Sequence, residues 1–311
     1  MLSQSRDRSS SCRSNRVRSP AIRLAVLIGA LGASSCGSAE SHGPGLVETH
    51  SELRLSVELI SDLLAPKDVD SIRVVTTWPT GAGTSSFERE LGPSSLPLPA
   101  ELAAVYSSSG DETVRVEVTA WKGATPFTVV RGFARAPATG SAAVRLSISW
   151  LCANTATEVA PGQVASACPE GQSCRAGACM SDDRSGEVLP APMPSGVKLP
   201  CFDAATCMGK ARSALVERAT CRIAKPTGFV PSNFAVVKPP QTTGACTSSQ
   251  CLVVLNADPI EGWSDDGTAF TIPPPVCSAL NDGRALEVIM SDTCATKPAA
   301  ASTCDNASAP Q

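Results

Sequence analysis

The densest set of side chains that could do chemistry lies between residues 256 and 267. Four carboxylates and one indole fall within this stretch: Asp258, Glu261, Trp263, Asp265 and Asp266. Carboxylate oxygens are ligands that Ca²⁺ prefers, and an exposed indole ring can stack on a sugar or a peptide. The EF-hand pattern does not fit, because Ile260 occupies a position that requires a ligand. The stretch predicts either a ligand or Ca²⁺ site, or a turn-rich loop whose Trp263 covers the local core.

Catalysis by paired carboxylates is the enzymatic alternative for the same stretch. Asp258 and Asp265 are the nearest candidates for the acid and the base of a glycan hydrolase, although their spacing equally suits solvated turn residues. The chain has two histidines, His42 and His50, and both precede the predicted domains. No imidazole is therefore left for a Ser-His-Asp triad, a Cys-His pair or a zinc site. We predict a non-catalytic binding or structural module without a metal site, with a carboxylate-dependent hydrolase as the alternative.

The elements around this loop predict a small, mostly β domain over residues 201–304. Its strand-like runs are 234–237, 251–255, 270–272 and 286–290, and turn residues such as those at 273–275 separate them. Asp203 is expected to cap a short helix that continues to about Arg218. Eight cysteines predict up to four disulfides, with 105 ways of pairing them. They are Cys201, Cys207, Cys221, Cys246, Cys251, Cys277, Cys294 and Cys304.

Residues 152–180 change to a glycine-punctuated cysteine pattern. Its four cysteines are Cys152, Cys168, Cys174 and Cys179. The spacing resembles that of the small Cys knots of secreted proteins, which implies two disulfides, with three pairings open. A zinc site is the rival interpretation, and it is disfavoured because no two of these cysteines are spaced as in C-x-x-C. Prolines make residues 181–200 a linker, and residues 305–311 are predicted to be a disordered tail.

Residues 51–151 alternate apolar and polar side chains with a period of two. Clear examples are the runs at 53–59, 114–120 and 144–150, and turn clusters separate six or seven such strands. The prediction is a mainly β fold with an immunoglobulin-like β-sandwich. The Cys-Trp-Cys core of antibody domains is absent, because residues 37–151 contain no cysteine.

Residues 1–35 have the architecture of a secretory signal peptide. Six arginines precede a short apolar stretch at 24–33, and small residues follow it. Ten residues rise about 15 Å as a helix, whereas the hydrocarbon core of a bilayer is roughly 30 Å thick. The stretch therefore predicts a cleaved export signal rather than a transmembrane helix.

The end of this segment, residues 33–37, resembles the lipobox of bacterial lipoproteins, with Cys36 at the modified position. The resemblance implies cleavage just before Cys36 and attachment of diacylglycerol to its sulfur. Twelve cysteines remain if Cys12 is removed and Cys36 is lipidated, and an even number suits a secreted protein. Residues 36–50 would form a flexible tether. We expect a lipid-anchored protein of the outer membrane or cell surface, or alternatively a periplasmic or secreted one.

Charge limits the class of partner. The whole chain has 26 basic and 29 acidic residues, and the predicted signal contains six of the basic and one of the acidic residues. The mature chain therefore has 20 basic and 28 acidic residues, a net charge of −8. Nucleic-acid binding needs a basic surface, so we predict no nucleic-acid partner. The expected partners are the membrane, through the lipid, and a glycan or an envelope protein.

Overall fold

The computed structural model describes residues 53–77, 84–107, 113–135, 141–185, 187, 191–193, 200–299 and 301–304. The predicted signal peptide, the tether with Cys36, His42 and His50, and the predicted tail lie outside the described residues. The described residues all belong to one compact unit. The fold is mainly β, as predicted. No helix within the described residues is both long and apolar enough to cross a bilayer.

Seven strands form two sheets in the first part of the described chain. They are β1 (Leu53–Ser61), β2 (Ser71–Thr77), β3 (Thr84–Glu90), β4 (Ala100–Ser107), β5 (Thr113–Lys122), β6 (Thr125–Arg135) and β7 (Ser141–Ile148). The sheet orders are β4-β1-β7 and β3-β2-β5-β6. Side chains from both sheets share one hydrophobic cluster, which is compatible with a β-sandwich. β1 and β7 run parallel, unlike neighbours in a purely antiparallel sandwich.

The period-two pattern holds for β5 and fails for β1. In β5 the three alternate valines are buried and Arg115 is exposed. In β1 the predicted solvent face is buried as well, because this strand is central in its sheet and residues 191–193 lie against it. Glu58 accepts hydrogen bonds from Arg145 Nε, at 2.9 Å, and from the Met193 amide. β4 was not apparent from the sequence, because its alanines, leucine and glutamate favour helix.

Two short hairpins follow. A 3₁₀ turn (Trp150–Cys152) leads to β8 (Ala156–Ala160) and β9 (Gln163–Ser166), and then to β10 (Gln172–Arg175) and β11 (Ala178–Ser181). Disulfides join Cys152 to Cys174 and Cys168 to Cys179. The first residues of the predicted linker pair with the edge of β6. The Phe133 amide donates to Asp182 O and the Arg184 amide donates to Phe133 O, both at 2.9 Å.

The C-terminal region contains nine further strands and two helices among the described residues. The strands are β12 (Arg212–Ser213), β13 (Val216–Glu217), β14 (Arg222–Ala224), β15 (Asn233–Lys238), β16 (Ala245–Cys246), β17 (Cys251–Val254), β18 (Ser264–Asp265), β19 (Ala269–Thr271) and β20 (Glu287–Ser291). They form a five-stranded sheet, β12-β20-β15-β17-β16, and a four-stranded sheet, β13-β14-β19-β18. The disulfides are Cys201–Cys304, Cys207–Cys294, Cys221–Cys277 and Cys246–Cys251.

The helices differ from the sequence prediction. α1 (Ala204–Met208) is capped by Asp203 as expected, but it ends at Gly209 rather than near Arg218. β12 and β13 occupy the remainder, because Arg212 and Ser213 pair with β20 instead of continuing the helix. α2 (Pro274–Asn281) begins where a turn was predicted. Proline is favoured in the first helical turn, since it has no amide hydrogen that would lack a partner there.

A continuous core joins the N-terminal sheets to the C-terminal region. The largest hydrophobic cluster contains Leu55 and Ile148 as well as Phe234 and Ile272. Polar contacts at this junction include Lys67 Nζ, which donates to Thr242 O at 2.9 Å and to Gly244 O at 2.7 Å. The predicted boundaries at residues 151, 180 and 200 remain predictions, but the core extends across all three.

Candidate functional site

Residues 256–267, the acidic loop, form a compact turn held by hydrogen bonds of its own backbone. The Trp263 amide donates to Asn256 O at 2.9 Å, and the Asp258 amide donates to Trp263 O at 3.0 Å. Asp258 Oδ1 accepts from the amides of Ile260 and Glu261. A Cβ atom on Gly262 would lie 1.9 Å from Asn256 O, so this position needs glycine. The Asp258 carboxylate is thus engaged in shaping the loop.

Trp263 lies inside the core. Its side chain is 8% exposed, and its ring centroid lies 4.9 Å from that of Phe234 and 5.9 Å from that of Phe270. Such distances are typical of packed aromatic pairs. A stacking role requires an exposed ring face, and this ring is covered. Of the two sequence interpretations, the structure therefore has the one in which Trp263 covers the local core.

Glu261 is part of a buried ion cluster rather than a free ligand. Its Oε1 accepts from Arg175 Nε at 2.8 Å and lies 3.5 Å from Arg184 Nη1. Both arginine side chains are nearly inaccessible, and Glu187 pairs with Arg175 at 2.6 Å. Opposite charges that share a buried site compensate each other, and removing one partner leaves an uncompensated charge. Glu261 therefore fastens the acidic loop to β10.

The remaining two acids form exposed ion pairs. Asp265 lies 2.7 Å from Lys225 Nζ, and this hydrogen bond lowers the pKa of the Asp265 carboxyl. Asp266 accepts from the amides of Ala269 and Thr268 and pairs with Arg222 at 2.5 Å; the bond from Ala269 contributes most to lowering the pKa of its carboxyl. In the described part of the chain, no three acidic, histidine or cysteine side chains are arranged to hold a metal ion. The five predicted residues are neighbours in sequence, but each has its own structural partners.

A second polar cluster, which the sequence did not indicate, lies buried where the N-terminal sheets pack against the C-terminal region. It comprises Asp62 just after β1, Lys238 at the end of β15, and Lys297 after β20. Asp62 accepts from Ser149 Oγ at 2.7 Å and from the Trp150 amide at 2.9 Å. Lys238 Nζ lies 4.3 Å from the centre of the Trp150 ring and donates to Thr243 Oγ1. The cluster thus draws its members from segments far apart in the chain.

Lys297 is the most deeply buried of the three residues, with no exposed surface. Its backbone amide donates to Asn233 Oδ1 at 2.8 Å, and its Nζ donates to Asn256 Oδ1. Asn256, at the start of the acidic loop, is also buried. Lysine is almost never fully buried unless it is paired with a carboxylate, and here its contact is an uncharged amide.

Burial alters the proton affinity of all three groups. It raises the pKa of the Asp62 carboxyl to about 6, against the opposing hydrogen bonds from Ser149 and Trp150. It lowers the pKa of the Lys238 and Lys297 amines to about 8, and the negative charge of Asp62 partly offsets this effect. Low polarity disfavours the charged form of each group, so the shifts have opposite directions for acid and amine. Strongly shifted pKa values mark candidate functional groups.

Sequence reasoning missed this cluster because none of its members belongs to a motif. Lys238 and Lys297 are each followed by proline in turn-rich stretches, where lysine is ordinarily solvated. Asp62 follows the alternating run of β1, and a polar residue at such a place is typical of the end of a strand. Local patterns cannot indicate burial that arises only when three distant segments pack together.

The first prediction concerns Trp263. Trp263→Ala should lower the free energy of unfolding by about 3–5 kcal/mol, because it removes a large ring from a packed aromatic cluster. Denaturant melts of the disulfide-bonded chain measure the loss. Ile260→Ala is the matched control in the same loop; Ile260 is 41% exposed, so its change should stay within about 0.5 kcal/mol. Equal, small effects of both substitutions would show that the ring does not support the core.

The second prediction separates the buried acid of the loop from an exposed one. Glu261→Gln should lower the free energy of unfolding by about 3–5 kcal/mol, because Arg175 and Arg184 lose a shared buried counter-charge. Asp265→Asn, which breaks an exposed pair with Lys225, should be indistinguishable from the wild type in the same melts. The prediction fails if Glu261→Gln is as mild as Asp265→Asn.

The third prediction is a pH dependence due to Asp62. Between about pH 4 and pH 6 the folded carboxyl binds a proton that the unfolded one, with its pKa of 3.8, releases. Stability therefore falls as the pH rises through this window, by on the order of 2–3 kcal/mol, and the penalty persists above it. Asp62→Asn should remove this slope. Ser149→Ala should extend the slope to higher pH, because the lost hydrogen bond had favoured the ionised carboxylate. Parallel stability curves for wild type and Asp62→Asn from pH 4 to pH 6 would contradict the assignment.

Comparisons with known proteins were made at the level of families, curated proteins and solved structures. No family model matches the chain, and no curated protein matches it. No solved structure matches it either.

Proposed function

We propose that this chain is an exported, lipid-anchored protein of the cell envelope that serves as a non-catalytic structural or binding module. The observation that supports the proposal most is the cysteine pairing. All twelve cysteines from Cys152 to Cys304 form six disulfides. Disulfides persist in oxidising compartments and are rare in the cytosol, so they indicate an extracellular or envelope environment.

The signal architecture and the predicted lipid at Cys36 support anchoring. Each buried CH₂ group of an acyl chain contributes about 0.8 kcal/mol to membrane binding, and two chains together hold a protein firmly. In this proposal the lipid at Cys36 attaches the chain to the membrane. The folded region would then be displayed beyond the tether of residues 36–50.

The engagement of the loop carboxylates supports a non-catalytic role. Asp258 accepts two loop amides and Asp265 pairs with Lys225, so the two acids that a hydrolase would need both contribute to local structure. Glu261 and Trp263 likewise stabilise the fold. The polar side chains of this loop thus hold the fold rigid. A rigid module of this kind suits the binding of an envelope component, either a glycan or a protein. It equally suits mechanical support of the envelope.

The fourth prediction tests the anchor. Cys36→Ser should move the protein from the membrane fraction to the soluble fraction or leave it as an unprocessed precursor, because serine has no sulfur to carry the lipid. Fractionation of cells, with mass spectrometry of the N-terminal peptide, measures both outcomes. Cys12→Ser is the matched control, since Cys12 lies in the predicted signal and its change should leave the fractionation unaltered. A processed Cys36→Ser protein that stays in the membrane would refute lipid anchoring at this residue.

A further inference from the structure

We propose that the side chains of Lys297 and Asn256 become joined by an intramolecular amide bond, an isopeptide cross-link. The Lys297 amine has no exposed surface, and its hydrogen bond goes to Asn256 Oδ1. None of the ion pairs among the described residues involves this amine, and the carboxylate that partly offsets its charge is that of Asp62. The arrangement therefore places a buried nucleophile in direct contact with a carbonyl group rather than with a carboxylate.

Both reacting groups are held in place by other contacts. The Lys297 backbone amide donates to Asn233 Oδ1 at 2.8 Å, which fixes the position of the lysine beside β15. The backbone carbonyl of Asn256 accepts a hydrogen bond from the Trp263 amide at 2.9 Å, which fixes the asparagine at the base of the acidic loop. Oδ1 and Cγ are separated by a bond of about 1.2 Å, so an amine that contacts Oδ1 lies close to Cγ. Because the two groups are already held in contact, the reaction does not have to bring two freely moving reactants together, and this lowers the entropic part of its barrier.

The surroundings favour a reactive amine. Asn233, Phe234 and Lys297 have no exposed surface, and Asn256 is 6% exposed, so water is largely excluded from the pair. Burial lowers the pKa of the Lys297 amine to about 8, which leaves a neutral, nucleophilic fraction near physiological pH. Desolvated lysines are activated in this way in enzymes that attack carbonyl carbons. Formation of the amide would also remove a charge that the core otherwise has to accommodate.

The reaction balances without any added reagent. The Nζ lone pair attacks Asn256 Cγ and forms the new C–N bond, while the bond from Cγ to the asparagine side-chain nitrogen breaks. That nitrogen takes a proton from the attacking amine and leaves as ammonia. If the lysine starts as an ammonium ion, the additional proton leaves with the ammonia as ammonium. Asp62 takes no part in the reaction as written, because its carboxyl accepts hydrogen bonds from Ser149 Oγ and the Trp150 amide.

The fifth prediction tests the cross-link on the exported full chain, after reduction and alkylation of its cysteines. The measured intact mass should be lower, by the mass of one ammonia, than the mass calculated for the processed chain without the cross-link. Trypsin does not cleave before proline, and Lys225, Lys238 and Lys297 all precede proline. Digestion should therefore yield one branched peptide that joins residues 223–284 to residues 285–311, and tandem mass spectrometry should locate the branch at Asn256 and Lys297.

Variants distinguish the bond from a non-covalent contact. Lys297→Met should restore the full mass and give two separate peptides. Asn256→Asp should still cross-link, with loss of water in place of ammonia, and its branched product should have the same mass as that of the wild type. Lys238→Arg is the control: the amine of this second buried lysine donates to the Thr243 hydroxyl, so the substitution should leave the branched peptide in place. Unlinked peptides from folded wild-type protein overturn the proposal, even if the variants fail to fold.

Discussion

Packing of the C-terminal sheet against the N-terminal sheets through one continuous core is the constraint on which the rest of this structure depends. The cluster that contains Leu55 and Ile148 also contains Phe234 and Ile272. Such packing removes water from polar groups between the layers, and a buried polar group is usually hydrogen-bonded to the protein. The indole nitrogens of Trp150 and Trp263 are buried without such a partner among the described residues. Asp62 accepts hydrogen bonds from Ser149 and Trp150, and the buried Asp68 accepts from the amides of Leu64 and Gly244.

The same constraint accounts for the contacts of the acidic loop. The loop leaves the core strand β17 and returns through Trp263, whose ring fills space beside Phe234 and Phe270. Glu261 is thereby drawn into the same closed region as Arg175 and Arg184, where its charge is needed as a counter-charge. The acids that remain at the surface pair with nearby Arg222 and Lys225. A loop that is rich in carboxylates thus becomes a fastening between β10 and the C-terminal sheets.

Disulfides join short elements of the C-terminal region to its larger sheet. The C-terminal region has two strands of only two residues at the edges of its larger sheet, β12 and β16. Cys246 of β16 is bonded to the residue directly opposite it on β17. Cys207 on α1 and Cys294 after β20 connect the short helix to the sheet that it covers. An amide between Lys297 and Asn256 would be a further link of the same kind, placed where no cysteine pair lies.

The sequence by itself determined the features that depend on neighbouring residues. The period-two runs predicted β5 and the mainly β class, the even number of cysteines predicted disulfides, and Asp203 predicted the start of α1. Other features depend on residues far apart in the chain, and only the tertiary structure decided them. The pairing of the eight C-terminal cysteines is one of 105 arrangements that spacing alone leaves open. The burial of Glu58, Trp263 and Lys297 is another such feature. A local pattern records which face of a strand is apolar, but the burial of a polar residue depends on which distant segment packs over it.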